Sequence, residues 1–300
     1  MSQYQRILLI ADPRLQRTPA FERAAWLAKT TGAALHIALF DRSATIAALA
    51  LVDAKDDEQA REAWLQARRA WLGTEALVLH GHGVKATIAV VWAHPVYEEI
   101  LTHITEYKPD LVIKDVKHEP LLQRLLLKPL DWHLLRDCPT PVLLVNSLAH
   151  AAPRRIVAAV DGTQLTGTED FNETVIKSAL ALAIQCDAEL HLASSFDCLM
   201  LGADGLSGLP VVTPGLYETL SKLHDEGFAS IARAHGVPPE RTHSLVGPAS
   251  MSLAEFANNA ATDVLVVGTH RRHGVDRLLT GSIAEAIVDT APCDVLVVKP

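Results

Sequence analysis

The chain has 300 residues, 49% of them hydrophobic, enough to bury two cores of ordinary domain size. A formal net charge of −8 argues against a nucleic-acid binder, which would carry a basic face. The apolar stretch near the start, Ile7 to Ala11, is too short for a secretory signal, and no run approaches the ~18 apolar residues of a membrane span. The cysteines, Cys138, Cys186, Cys198 and Cys293, have no C-x-x-C spacing, which suits a reducing cytoplasm.

Short aliphatic runs alternate with amphipathic stretches along the whole chain, the pattern of parallel sheets covered by helices. In the first half the pattern predicts strands at Ile7–Ala11, Ala34–Phe40, Thr87–Val91, Leu111–Lys114 and Val142–Val145. The helices between them fall at 19–31, 56–72, 95–107 and 130–137. In the second half strands are expected at Ile156–Val160, Glu189–Ser194, Thr242–Val246, Val264–Gly268 and Val295–Val298, with helices at 170–185, 215–235, 250–261 and 282–290. Runs such as Val-Leu-Val-Val mark strands buried on both faces, as parallel packing requires. Trp64 and Trp71, seven apart on one helix, read as a core or contact stripe.

The two halves repeat one another. Asp263-Val-Leu-Val-Val267 follows Asp110-Leu-Val-Ile-Lys114 by 153 residues, and Val295 follows Val142 by the same 153. Arg277-Leu-Leu279 then matches Arg124-Leu-Leu126, and Pro292 matches Pro139. A repeat of this length is a whole domain, too long for a solenoid unit. The segment Asn146 to Arg154 is short, holds a proline and lacks an apolar period, so domains are expected at 1–147 and 153–300. The expected fold is α/β: two tandem open parallel five-stranded sheets with helices on both faces.

The second half carries a phosphate-cradle pattern. Gly268 ends a buried strand, and Gly281-Ser282 opens a helix with unpaired N–H groups and the positive end of its dipole. Asp161-Gly-Thr ends the first strand of that half, beside the expected crevice, and Arg271, Arg272 and Arg277 lie between the two glycines. In the shared register Gly268 becomes Asp115, Arg271 becomes His118, Gly281 becomes Lys128 and Ser282 becomes Pro129. Asp115 would repel a phosphate and Pro129 removes a donor, so the first half is not expected to hold a nucleotide in this way.

On these motifs the chain resembles the tandem universal stress proteins over essentially its whole length. Nucleotide-binding members of that family carry G-x-x-G-x9-G-S/T and an apolar residue. Here the pattern reads Val267-Gly268-x-x-Arg271-x9-Gly281-Ser282-Ile283, closing with Ala291-Pro-Cys-Asp-Val-Leu-Val-Val298. Arg271 stands in place of the middle glycine, and arginine is itself a phosphate partner. The segments Lys128 to Val142 and Val91 to Ile100 resemble the E-type tandem subgroup. The resemblance implies an adenine-nucleotide alpha-hydrolase-like fold and ATP or another adenine nucleotide in the second domain only. Asp161 would meet the adenosine part, Gly268 the ribose and phosphate side, and Gly281 with Ser282 the phosphates. It also implies an intramolecular pseudo-dimer through the terminal strands Val142–Val145 and Val295–Val298, with a homodimer of the whole chain as a further level.

Two rival readings stand beside this one. The first is a metal-assisted ATP hydrolase of low turnover using Asp161 and the Gly268–Ser282 loop; separately, His118, Asp131 and His133 around the first-half site are metal candidates, without diagnostic spacing. The other is a carrier for an apolar or lipid-like ligand under the segment 196–214, rich in Gly, Leu and Pro. No nucleophile elbow, Walker lysine loop or paired-carboxylate motif is present, so no dedicated catalysis is expected.

Overall fold

The computed structural model describes residues 4–41, 54–116, 130–146, 152–163, 169–197, 214–269 and 282–299. The chain divides into two compact units, Met1–Ala152 and Pro153–Pro300. Among the described residues no helix is long and apolar enough to cross a membrane.

Unit 1 runs β1 (Arg6–Ile10), α1 (Pro19–Thr31), β2 (Ala34–Asp41), α2 (Ala54–Gly81), β3 (Ala86–Trp92), α3 (Val96–Tyr107), β4 (Leu111–Asp115), α4 (Leu130–Asp137) and β5 (Val142–Val145). Its strands lie in the order β3-β2-β1-β4-β5, every pair parallel. Continuous burial of Leu111, Val112, Ile113 and of Val142 to Val145 shows why those runs lack a polar alternation.

Unit 2 repeats the plan with β6 (Arg155–Ala159), α5 (Glu169–Cys186), β7 (Glu189–Phe196), α6 (Pro214–Ala234), β8 (Thr242–Val246), α7 (Ala249–Asn259), β9 (Val264–Gly268), α8 (Ser282–Thr290) and β10 (Asp294–Val298). The order is β8-β7-β6-β9-β10, again parallel throughout. Register is shared as well as order. Arg6 faces Ala34 and Ile7 faces Leu111, while Arg155 faces Glu189 and Ile156 faces Val264.

The repeated aspartates have a matching job. Asp110 Oδ2 accepts from the backbone N–H groups of Gln5 and Arg6, both at 2.8 Å. Asp263 Oδ2 accepts from Arg154 and Arg155 at 2.8 and 2.9 Å. Each carboxylate pins the start of its unit's first strand to the start of the fourth, satisfying donors that the sheet ladder leaves open.

Element ends fall within two residues of the sequence expectation, with one exception. The helix expected at 56–72 continues to Gly81, because Leu72, Ala76 and Leu79 extend the buried stripe at helical spacing across Gly73. Strand β7 runs two residues past Ser194, since Ser195 and Phe196 still pair with Leu245 and Val246. The Trp64 and Trp71 stripe faces other rings: Trp64 meets Trp92 edge-on at 5.1 Å and Trp71 meets Phe21 at 6.3 Å.

Each unit also holds a histidine pair beside its second strand. His36 Nε2 lies 2.9 Å from His103 Nε2, with ring centres 5.0 Å apart and planes within 11°. His191 Nδ1 lies 3.0 Å from His243 Nε2, with centres 5.3 Å apart and planes within 19°. In both, the nitrogens sit between the ring centres, so the rings meet edge to edge in an N–H···N bond. Burial and the neighbouring ring bring His36 down to about 4, and burial also lowers His103, His191 and His243. Both pairs are therefore neutral near pH 7, one ring donating and the other accepting.

Candidate functional site

In an open sheet of this order the strand direction of growth reverses between β6 and β9, and ligands are bound beyond the carboxyl ends of such strands. Asp161 follows β6 and Gly268 ends β9, so the fold brings these two sequence-predicted residues to one crevice. Val267 is buried beneath Gly268, Ser282 opens α8, and Ile283 in the first turn of that helix is half exposed. Arg271 and Gly281 lie outside the described residues, as do the loop arginines Arg272 and Arg277 and most of the segment 196–214.

The element that builds the crevice is the first turn of α5. Helices α1 and α5 both end before a left-handed residue, Gly32 at φ 74° and Asp187 at φ 52°. From that common end α5 extends back 18 residues and α1 only 13, so α5 starts more than a turn earlier. Its extra turn carries Phe171 and Asn172. The Asn172 side chain clamps the backbone of Asp161: Asp161 N–H donates to Oδ1 at 2.8 Å, and Nδ2 donates to the Asp161 carbonyl at 2.7 Å. With its backbone fixed, the Asp161 carboxylate accepts from Thr163 N–H at 2.9 Å and Thr163 Oγ1 at 2.7 Å.

Phe171 fills the notch at Gly268. A Cβ placed there would lie 2.2 Å from Phe171 Cε2 and 2.6 Å from Cζ, so only glycine admits the ring. The sequence assigned that missing side chain to close approach of a ligand; the ring that uses the space belongs to the chain itself. Gly162 has a similar reason. A Cβ there would meet His224 Nε2 at 2.7 Å, and the Gly162 N–H donates to Ser194 Oγ at 3.1 Å. Ser194 Oγ lies 2.8 Å from His224 Nε2, and His224 Nδ1 lies 3.5 Å from Asp225 Oδ1. Ser194 and His224 are 1% and 3% exposed, with Phe196 and Phe228 beside the imidazole, so the pair forms the floor of the crevice rather than a nucleophile open to substrate.

The corresponding place in unit 1 is filled by charges of its own. Asp12, the counterpart of Asp161, is held by Arg14 through Nε at 2.9 Å and Nη2 at 2.7 Å. Asp115, the counterpart of Gly268, accepts from Ala20 N–H at 2.9 Å in the first turn of α1, where its carboxylate complements the helix dipole. Lys114, the counterpart of Val267, forms a buried ion pair with Asp131 at 2.7 Å and donates to the Asp115 carbonyl at 2.7 Å. The metal candidate Asp131 is thus already matched by an ammonium. His133 stacks obliquely on Tyr97 at 4.7 Å and lies 3.4 Å from Arg136 Nη2, and His118 lies outside the described residues. Among the described residues no three His, Cys, Asp or Glu side chains gather in a metal-binding group.

Sequence reasoning missed Phe171, Asn172, Ser194 and His224. The acidic pair Glu169-Asp170 was the available signal for the first two, because acidic residues favour a helix's first turn and mark α5's early start. Nothing local could have found Ser194 and His224, which meet across 30 residues.

Two parallel α/β units of one register, each with its crevice at the same switch point, define a duplicated open-sheet α/β fold. The chain belongs to the universal stress protein family, whose pattern matches residues 3–146 and 153–299. It is 27% identical to universal stress protein E of Escherichia coli K12, over 100% of this chain and 95% of that protein. It is 26% identical to universal stress protein E of Photorhabdus laumondii, over 100% and 96%. A functionally unknown protein of Pseudomonas aeruginosa PAO1 superposes with a TM-score of 0.74 at 25% identity, covering 99% of this chain and 93% of that one. A universal stress protein of Archaeoglobus fulgidus shares the fold at 14% identity and a TM-score of 0.68, covering 99% and 97%.

Proposed function

We propose that the protein is a cytoplasmic universal stress protein of the tandem type that acts in stress response by binding, taking an adenine nucleotide in its second domain. The observation that carries this is the difference between two equivalent aspartates. Asp12 is neutralised by Arg14, whereas Asp161 keeps its carboxylate at the crevice with only Thr163 hydrogen-bonded to it among the described residues. The Asn172 clamp presents that carboxylate in a fixed place, which lowers the ordering cost of binding. The start of α8 at Ser282, with Gly281 and Arg271 preceding it in sequence, supplies the phosphate side of the proposed site. Buried thiols at Cys138, Cys186 and Cys293 suit a reducing compartment.

In this reading the domain of residues 1–147 is a scaffold and partner surface, because Arg14, Asp115, Lys114 and Asp131 occupy its crevice with internal pairs. Calorimetry of the full chain with ATP, ADP and AMP tests the proposal. Binding should be lost in Asp161→Asn and kept in Asp12→Asn; equal loss in both, or none in either, would remove the assignment to the second domain.

A further inference from the structure

We infer that Ser194 and His224 are positioning residues for ligand binding in unit 2, fixing the backbone that carries Asp161; the inference rests on the adenine-binding reading above. The Asn172 amide ties the N–H and the carbonyl of Asp161 from the side of α5. The next donor along, the buried Gly162 N–H, goes to Ser194 Oγ at 3.1 Å, and that oxygen lies 2.8 Å from His224 Nε2. Asp225 Oδ1, which accepts from Ser244 Oγ at 2.6 Å, stands 3.5 Å from His224 Nδ1 and favours the imidazole proton on that nitrogen. Nε2 is then the acceptor, and the Ser194 hydroxyl donates to it. The hydroxyl accepts from the crevice backbone and donates into the core, so both of its neighbours are fixed.

Two observations set this chain of bonds apart from ordinary core filling. His224 Nδ1 makes no hydrogen bond among the described residues although the side chain is 2% exposed, a penalty that a leucine between Phe196 and Phe228 would avoid. Unit 1, where Arg14 neutralises the equivalent aspartate, lacks every member of the chain. Pro13 follows Asp12 where Gly162 follows Asp161, so there is no N–H to place. Leu39 stands for Ser194, since Ile10 pairs with Ala38 as Ala159 pairs with Ala193. The matching stretch of α2, Trp71-Leu72, is apolar. Donor, hydroxyl and acceptor occur together only in the unit whose aspartate faces the crevice without an arginine among the described residues.

The test combines hydrogen exchange at the Gly162 amide with calorimetry of the full chain against ATP and AMP. The proteins are wild type, the double variant Ser194→Ala with His224→Leu, and His224→Gln, whose side-chain oxygen reaches the place of Nε2. In the double variant the buried N–H removed at Nδ1 offsets the one stranded at Gly162, so Tm should stay within about 4 °C of wild type. Its Gly162 amide should exchange about tenfold faster or more. ATP and AMP should both bind about tenfold more weakly, the factor for re-ordering one released residue on binding. His224→Gln should keep exchange and affinity within about threefold of wild type. Unchanged affinity in the double variant, unchanged Gly162 exchange, or an equal loss in His224→Gln overturns the inference and leaves adenine binding standing. Wild type that binds neither ATP nor AMP overturns the adenine reading, and the inference with it. If the double variant does not fold, Ser194→Ala alone carries the comparison, with the same losses expected and unchanged affinity again overturning the inference.

Discussion

The Lys114–Asp131 pair offers the sharpest check on how unit 1 is held together. Both side chains are nearly sealed from water, 5% and 4% exposed, with Nζ 2.7 Å from Oδ1. Removing one partner strands the other's charge in the interior, which costs about 3–5 kcal/mol, whereas replacing both by apolar groups is close to neutral. Unit 2 has already made that replacement, with Val267 and Ala284 at the corresponding positions, both buried. Lys114→Met and Asp131→Ala should therefore each destabilise unit 1 by about 3 kcal/mol or more, while the double variant should lose only about 1–2 kcal/mol, most of it from the lost Nζ bond to the Asp115 carbonyl. The expected coupling is about 3 kcal/mol or more. Urea unfolding followed by tryptophan fluorescence reads this cleanly, since Trp26, Trp64, Trp71, Trp92 and Trp132 all lie in the first half of the sequence and none in the second. Additive losses, with the double variant as unstable as the singles combined, would show that the pair is not the buried charge couple described and would refute the reasoning.

The histidine pairs predict a pH response. Because burial lowers the folded values, His36 to about 4, the unfolded chain binds protons first as pH falls through the ordinary histidine range. Stability should be full above about pH 6.5 and decline toward pH 4, where His36 itself protonates. His36→Gln should flatten part of that decline in urea midpoints measured from pH 8 to 5; a slope as steep in the variant would contradict the assignment. The strand-pinning aspartates predict a matched pair of losses. Asp110→Ala and Asp263→Ala each strand two backbone donors and should each cost about 2 kcal/mol or more in thermal unfolding. A change near zero in either would mean that solvent replaces the carboxylate there.

The element order was legible because the aliphatic runs are continuous and the helices amphipathic, and helix 282–290 and strands such as Val264–Gly268 fall where the pattern put them. What the pattern misjudged was local: the helix expected to stop at 72 runs on through Gly73, where buried side chains on both sides outweigh the glycine's cost. At the crevice, sequence brought Asp161 and Gly268 together but misread what fills the glycine's space, because Phe171 reaches it only through an early helix start and a contact across 97 residues of chain. Asp115 was likewise recognised as hostile to phosphate, while its bond to Ala20 N–H depends on the packing of α1 and has no sequence signature.

The internal charges of the first crevice also make its history hard to reverse. To recover an open pocket, the lysine, its carboxylate mate and the aspartate bonded to Ala20 must all be exchanged, and each solitary exchange leaves an orphaned interior charge or an unmatched N–H in the first turn of α1. Small mutational steps therefore run uphill from every side. The two copies are free to go on specialising, but not to trade roles.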